Sequence, residues 1–241
     1  ALKVASVNAD RKLLIMPSDH LIEDNIIFHK TIKKSMSYLK NYSWILFGVN
    51  PKNPSSSFGY IEAVGDNYIK DVKKFIEKPN TEKAKKLLKN KKNFWNAGIF
   101  LSTTEKILTS VKINCSDIYT NSKIVWENAT HFKNKSVLKK SELQKVDSIS
   151  IDYAVLEKEE KIGITLLDCG WNDIGSWDTL TKLYEEMGVS ENKNNLNINS
   201  SNSYVFNERQ RVITIGIEDL IIICKDENIL IIKKGHSERV R

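Results

Sequence analysis

Short apolar runs alternate with stretches of helical periodicity over the first 190 residues, and no other feature constrains the fold as strongly. Lys12–Met16 (KLLIM), Trp44–Val49 (WILFGV), Ala97–Ser102 and Ile162–Leu167 are too short for buried helices and read as strands. Gly59–Val64 and Asp71–Glu77 read as two more, joined by the turn Gly65–Asp66–Asn67. Between them, Ile22–Leu39 places Ile22, Ile26, Ile27, Ile32, Met36 and Leu39 at helical spacing. Thr81–Leu88 (with Asn80 or Thr81 as N-cap), Thr103–Val111, Ser116–Glu127 and Ser176–Met187 read as helices, and Ser150–Glu157 as a helix start. The alternation predicts an α/β domain of Rossmann-like type with a mixed, mostly parallel sheet.

The pattern changes at the Asn- and Ser-rich connector Glu191–Ser203. After it come only strand-like runs: Tyr204–Phe206, Val212–Ile217, Leu220–Cys224 and Ile229–Lys233. Two domains are expected, 1–190 and a β-rich appendage over 204–241, with no internal repeat evident. At 241 residues and 41% hydrophobic, the chain can bury one sizeable core. No apolar stretch approaches the ~18–20 residues of a membrane span, so no membrane partner is expected. Cys115, Cys169 and Cys224 are odd in number and widely spaced, which excludes a disulfide framework and predicts a reducing cytoplasm. The net charge is +7, yet only five of the 37 basic residues are Arg. The lysines surround amphipathic stretches such as Thr81–Lys92, so a solvated face is favoured over nucleic-acid binding.

Five places concentrate chemistry. Pro17-Ser18-Asp19-His20 follows the first strand, where ligands gather in open α/β sheets. Asp19 there fits a Mg²⁺ carboxylate and a helix cap equally well. Gly170–Trp177 packs two tryptophans, two glycines, Asn172 and Asp173 into eight residues, and Asp173 could supply a second metal carboxylate. Glu77-Lys78 ends a strand and pairs an acceptor for vicinal sugar hydroxyls with a cation for a phosphate, or forms a plain surface ion pair. Phe58-Gly59-Tyr60 and Trp95-Asn96-Ala97-Gly98 add close backbone approach and an amide. No G-x-S-x-G occurs, and the four histidines form no metal-spaced cluster, which disfavours covalent acyl chemistry.

In order, LLIMPSDHLI (Leu13–Ile22), FGYIEA (Phe58–Ala63), FIEKPN (Phe75–Asn80), FWNAGIFL (Phe94–Leu101), SISIDYAVLEK (Ser148–Lys158), DCGWNDIGSW (Asp168–Trp177) and IGIEDLIII (Ile215–Ile223) resemble the mannose-1-phosphate guanylyltransferase (GDP-mannose pyrophosphorylase) family. The resemblance implies a nucleotidyltransferase domain followed by a short left-handed β-helix. It implies mannose 1-phosphate and GTP as substrates, GDP-mannose and diphosphate as products, Mg²⁺ as cofactor, and a homodimer as an open option. By motif position it implies Asp19 and Asp173 as metal carboxylates, and Glu77 and Asn96 as sugar-hydroxyl ligands. Lys78 becomes the sugar-phosphate ligand, Gly59 a backbone contact and Asp152 a residue near the sugar pocket. The family also carries a Gly-rich triphosphate loop ahead of the PSDH strand. Nothing like it precedes Lys12, so a fragment lacking the triphosphate grip is expected. Two alternatives stand beside this reading: another sugar-1-phosphate nucleotidyltransferase, such as a thymidylyltransferase, and a non-catalytic sugar-nucleotide-binding homologue.

Overall fold

The computed structural model describes residues 1–8, 10–133, 135–189, 195–237 and 240. The start of the Asn-rich connector (191–194), the boundary at 190 and the arginines at 239 and 241 lie outside the described residues. Two compact units result, Ala1–Asn172 and Asp173–Arg241. The sequence places the division near 190–203 instead. The C-terminal helix is grouped with the β-rich segment because Trp177 packs on Phe206 (ring centroids 6.0 Å apart) and Asp178 bonds to Ser237.

In the first unit the elements are β1 (Lys12–Ile15), α1 (Asn25–Ser35), β2 (Trp44–Val49), β3 (Tyr60–Val64), β4 (Lys70–Ile76), α2 (Thr81–Lys89), β5 (Asn93–Thr103), α3 (Thr104–Asn114), α4 (Ser116–Glu127) and β6 (Ile162–Leu166). The strands form one sheet in the order β1–β5–β2–β6–β4–β3, and β3 also pairs with the start of β5.

The sheet is mixed, but the expectation of mostly parallel pairing is corrected: among the described pairings of this sheet only β2–β6 is parallel. The reason is interleaving. β1, β2, β3 and β6 share one direction, while β5 and β4 run against them and sit between them. The tight β3–β4 hairpin, turning at Gly65 (φ 101°), fixes one of these reversals.

β2 lies inside the sheet and is apolar on both faces. Trp44 is excluded from solvent with Leu46, Ile162 and Ile164 on one face, against Ile107 of α3; Ile45 and Phe47 pack on the other with Phe28 and Ile32 of α1. Each such buried side chain stabilises by about 1.5–3 kcal/mol. The helix expected over Ile22–Leu39 starts later, because Asp24 accepts hydrogen bonds from the Ile26 and Ile27 N–H groups and caps it. Leu21–Ile22 instead pairs with Trp171–Asn172. Asn80 caps α2 by accepting from the Lys83 N–H. The turn over Asp152–Leu156 is a π-helix that anchors Ala154, Val155 and Leu156 in the core.

In the second unit, α5 (Trp177–Glu186) precedes β7 (Leu196–Ile198), β8 (Tyr204–Asn207), β9 (Ile213–Ile215), β10 (Leu220–Lys225) and β11 (Asn228–Lys233). β7 pairs with β9 and β8 with β10, both in parallel, each residue facing the one seventeen positions on, as Leu196 faces Ile213 and Tyr204 faces Ile221. That is two coils of a β-helix with Val205, Ile222 and Cys224 inside. β11 then turns back antiparallel on β10.

Candidate active site

Glu77, Gly59 and Asn96 come from three separate segments and meet at one point of the first unit. β4 ends at Ile76, so Glu77 is the first residue past its end; Gly59 directly precedes β3; Asn96 lies within β5. The Asn96 N–H donates to the Gly59 carbonyl at 2.8 Å. A Cβ built on Gly59 would lie 2.5 Å from Glu77 Oε2 and 3.4 Å from Asn96 Cβ, so the missing side chain is what lets the carboxylate in. Burial pushes the Glu77 carboxyl above its ordinary pKa; Asp152 pushes it further, Lys78 opposes, and Glu157 adds to the rise. No described residue donates a hydrogen bond to Glu77. It is a half-buried acceptor without a hydrogen-bond partner among the described residues.

Lys78 is exposed and has φ 38°, in the left-handed region and immediately before Pro79. Both conditions disfavour a lysine there, so the surrounding structure imposes the conformation. The φ steers the chain from the strand end into α2.

Asn96 is held on both sides. Its Nδ2 donates to Asp152 Oδ1 at 3.1 Å, and its Oδ1 accepts from the Gly98 N–H at 3.1 Å. Ser150 Oγ donates to the other Asp152 oxygen at 2.6 Å. β5 bulges between Asn96 and Phe100 opposite β2, and Gly98 takes φ 68° there. A Cβ on Gly98 would lie 3.4 Å from Pro17 Cγ and 3.6 Å from His20 Cε1, so the loop bearing Asp19 abuts the bulge. Asp19 itself is exposed, with no hydrogen bond from a described residue, and α1 is capped by Asp24 instead.

Aromatic rings tie these motifs together. Phe58 lies 4.8 Å from Trp95 and 5.6 Å from Trp171, and Trp171 Nε1 donates to His20 Nδ1 at 3.1 Å. Ser150, Gly98 and Phe58 as a ring bridge are contributions that sequence reading misses. A Ser-x-Asp spacing before a helical turn is the available signal, and it reads as a plain cap. Away from this corner, a cavity of about 830 Å³ is lined by Leu14, Met16, Phe28, Ile32 and Met36 with His20. Glu77, Lys78 and Asn96 are not part of it.

Asp173 begins the second unit. It is half-buried, again without a hydrogen bond from a described residue. Gly175 leaves room for it, since a Cβ there would lie 2.7 Å from Asp173 Oδ2. Ile174, β-branched, adopts φ 47°, an outlier conformation beside that carboxylate. Among the described residues no three His, Cys, Asp or Glu side chains gather as a metal site. No helix of the described residues is long and apolar enough to cross a membrane.

Such a mixed sheet, with polar side chains gathered at strand ends, has known counterparts. Residues 1–188 match the Nucleotidyl transferase family and residues 193–241 the MannoseP isomerase/GMP-like beta-helix domain. The chain belongs to the nucleotidyl transferase family. Within it, the chain is 28% identical over 252 residues to the mannose-1-phosphate guanylyltransferase of Escherichia coli, covering 100% of this chain and 53% of that protein. It spans about half the length of the curated relatives it matches. The crystal structure of a Thermus thermophilus protein, described as mannose-1-phosphate geranyltransferase, superimposes with a TM-score of 0.84 over 99% of this chain and 70% of that one. At 20% identity that likeness concerns the fold alone. A Helicobacter pylori structure described as mannose-6-phosphate isomerase is 30% identical, with a TM-score of 0.65 over 71% of this chain and 68% of that one.

Proposed function

We propose that this chain is the transferase part of a mannose-1-phosphate guanylyltransferase, which joins mannose 1-phosphate to GTP and releases GDP-mannose and diphosphate. The observation that carries the reading is the unpartnered Glu77 carboxylate, set beside Asn96 in the space that Gly59 leaves. Glu77 accepts from sugar hydroxyls, Asn96 donates to one, and Lys78 pairs with the sugar phosphate as a point charge. An oxygen of that phosphate attacks the α-phosphorus of GTP in line. The bond from the α-phosphorus to the bridging oxygen breaks, and its electron pair leaves with diphosphate. The nucleophile is already an anion, so no side chain has to take a proton. The protein's part is to orient the two phosphates and offset their repulsion.

Asp19 and Asp173 would hold the Mg²⁺. Both offer hard oxygen donors that no described hydrogen bond occupies, and Mg²⁺ needs only one or two protein carboxylates. When bound, the ion neutralises charge on the phosphates. Strained backbone at Lys78 and Ile174 also supports functional roles for these places. We assign the protein to the cytoplasm on the chemistry of its substrates, and a homodimer is the proposed assembly.

Calorimetry tests the sugar site directly. Lys78→Ala should weaken mannose 1-phosphate by about ten- to hundredfold, the worth of a charge-assisted hydrogen bond, and GTP by less. Equal losses for both ligands would remove Lys78 from the sugar-phosphate site. In the active enzyme, Asp19→Asn and Asp173→Asn should each abolish Mg²⁺-dependent formation of GDP-mannose while leaving the circular dichroism unchanged. Turnover that prefers TTP would replace the guanylyltransferase reading with the thymidylyltransferase one.

A further inference from the structure

The bonding of Asp152 gives it a different task from that of a sugar ligand. Both of its carboxylate oxygens are already engaged, Oδ2 by the Ser150 hydroxyl at 2.6 Å and Oδ1 by Asn96 Nδ2 at 3.1 Å. We infer that Ser150 and Asp152 are positioning residues that set the Asn96 carboxamide, and that Asp152 acts on the sugar only through Asn96. The inference rests on the proposed sugar site.

Asn96 has two possible amide orientations, and its neighbours permit one. Oδ1 faces the Gly98 N–H at 3.1 Å, while Nδ2 faces a carboxylate oxygen. Flipping the amide would set oxygen against carboxylate and NH₂ against N–H, and lose both bonds. The backbone N–H of Asn96 is tied to the Gly59 carbonyl as well. One Nδ2 hydrogen is left without a described partner, and the Glu77 carboxylate borders the same space that Gly59 leaves. A vicinal pair of hydroxyls matches this: one accepts from Asn96 while the other donates to Glu77.

Ser150 holds the other end. Its Oγ also accepts from the Asp152 N–H at 3.2 Å, closing a local turn. Asp152 opens the π-helical turn whose Ala154, Val155 and Leu156 are buried, so the carboxylate stands on a rigid base. Ser150 is exposed, and a role in packing alone would make it dispensable.

The test uses the 241-residue chain, titrated with mannose 1-phosphate, with the Asn96 side-chain amide followed by ¹⁵N NMR. Ser150→Ala should move the Asn96 Nδ2 resonances and weaken mannose 1-phosphate roughly three- to tenfold, less than a direct bond to a charged group because it acts through Asp152 and Asn96. The melting temperature should hold, and Ser150→Thr should restore both the resonances and the affinity. Asp152→Ala should weaken the sugar phosphate in the parent and add nothing in an Asn96→Ala background. An unmoved amide and unchanged affinity in Ser150→Ala, or an additive loss from Asp152→Ala, would overturn the inference while the sugar reading stands. Unchanged affinity in Asn96→Ala would overturn the sugar reading and this inference with it.

Discussion

Two carboxylates, one in each unit, have opposite surroundings. Glu77 in the first unit is half-buried with no donor among the described residues, and burial and Asp152 raise its pKa. Burial also pushes Asp178 in the second unit upward, but hydrogen bonds from the Ser237 hydroxyl and from the Gly235 and Ser237 N–H groups, with nearby Lys234, outweigh it and hold the pKa below the ordinary value. Asp178 lies in the first turn of α5, where a negative charge is favourable, and clips the loop after β11 to that helix. One carboxylate is satisfied by the protein and stabilises it. The other has no hydrogen-bond donor among the described residues, which is what the proposed sugar site uses.

Filling the space beside Glu77 is the strongest way to break the contrast. In Gly59→Ala the new Cβ would stand 2.5 Å from Glu77 Oε2, and the flexible carboxylate arm would swing out. Mannose 1-phosphate affinity should fall about a hundredfold by calorimetry, the upper worth of a hydrogen bond to a charged group, with almost no change in melting temperature. The reverse pattern, lost stability with retained binding, would make Glu77 structural.

Asp178→Asn should do the opposite. It removes charge and acceptor capacity from a partnered group, and should lower the stability of the second unit by roughly 1.5–3 kcal/mol in urea unfolding, with mannose 1-phosphate affinity unchanged.

The smallest effect sharpens the comparison through pH. A raised carboxylate pKa means that the Glu77 contribution is fully present below the ordinary carboxylate range and is lost as pH rises through the folded value. Glu77→Gln keeps the uncharged form, so it should match the parent near pH ~4 and exceed it near pH ~7 by under about 1 kcal/mol, the limit for a partly exposed group. Asp178 has the other sign: its contribution is present above the ordinary range and is lost as pH falls through the folded value. Acid should therefore loosen the second unit under conditions that ease the strain at Glu77. Parallel pH profiles of Glu77→Gln and Asp178→Asn against the parent would erase the distinction.

Much of this is legible in the sequence, and the gaps have physical causes. Strands such as WILF show because a segment buried on both faces must be apolar throughout. Glu77, Gly59 and Asn96 each stand out at strand ends and in aromatic-flanked motifs, but their meeting depends on pairings such as Tyr60 with Trp95 that local patterns do not contain. Sheet direction is misjudged because an intervening strand leaves no mark on the helix that crosses over it. The coil of the second unit reads as strands without a repeat, since two turns, matching Leu196 to Ile213 and Tyr204 to Ile221, give too little self-similarity to register. Asp178 passes unremarked because a first-turn aspartate is common, and only its link to Ser237 sets it apart.

The place of β6 in the sheet has a consequence for the order in which the molecule is made. β6 sits between β2 and β4, pairing Trp44 with Ile162 and Lys70 with Ile164. Gly59, Glu77 and Asn96 leave the ribosome well before it. Until β6 is synthesised, β2 presents an unpaired edge rich in Trp, Ile, Leu and Phe, of the kind that invites pairing with other chains. Sheet closure then requires contacts of high sequence separation, which slows folding. Nascent chains stopped short of Ile162 should therefore rely on chaperones, and the sheet that carries Asn96 closes only when that late strand is in place.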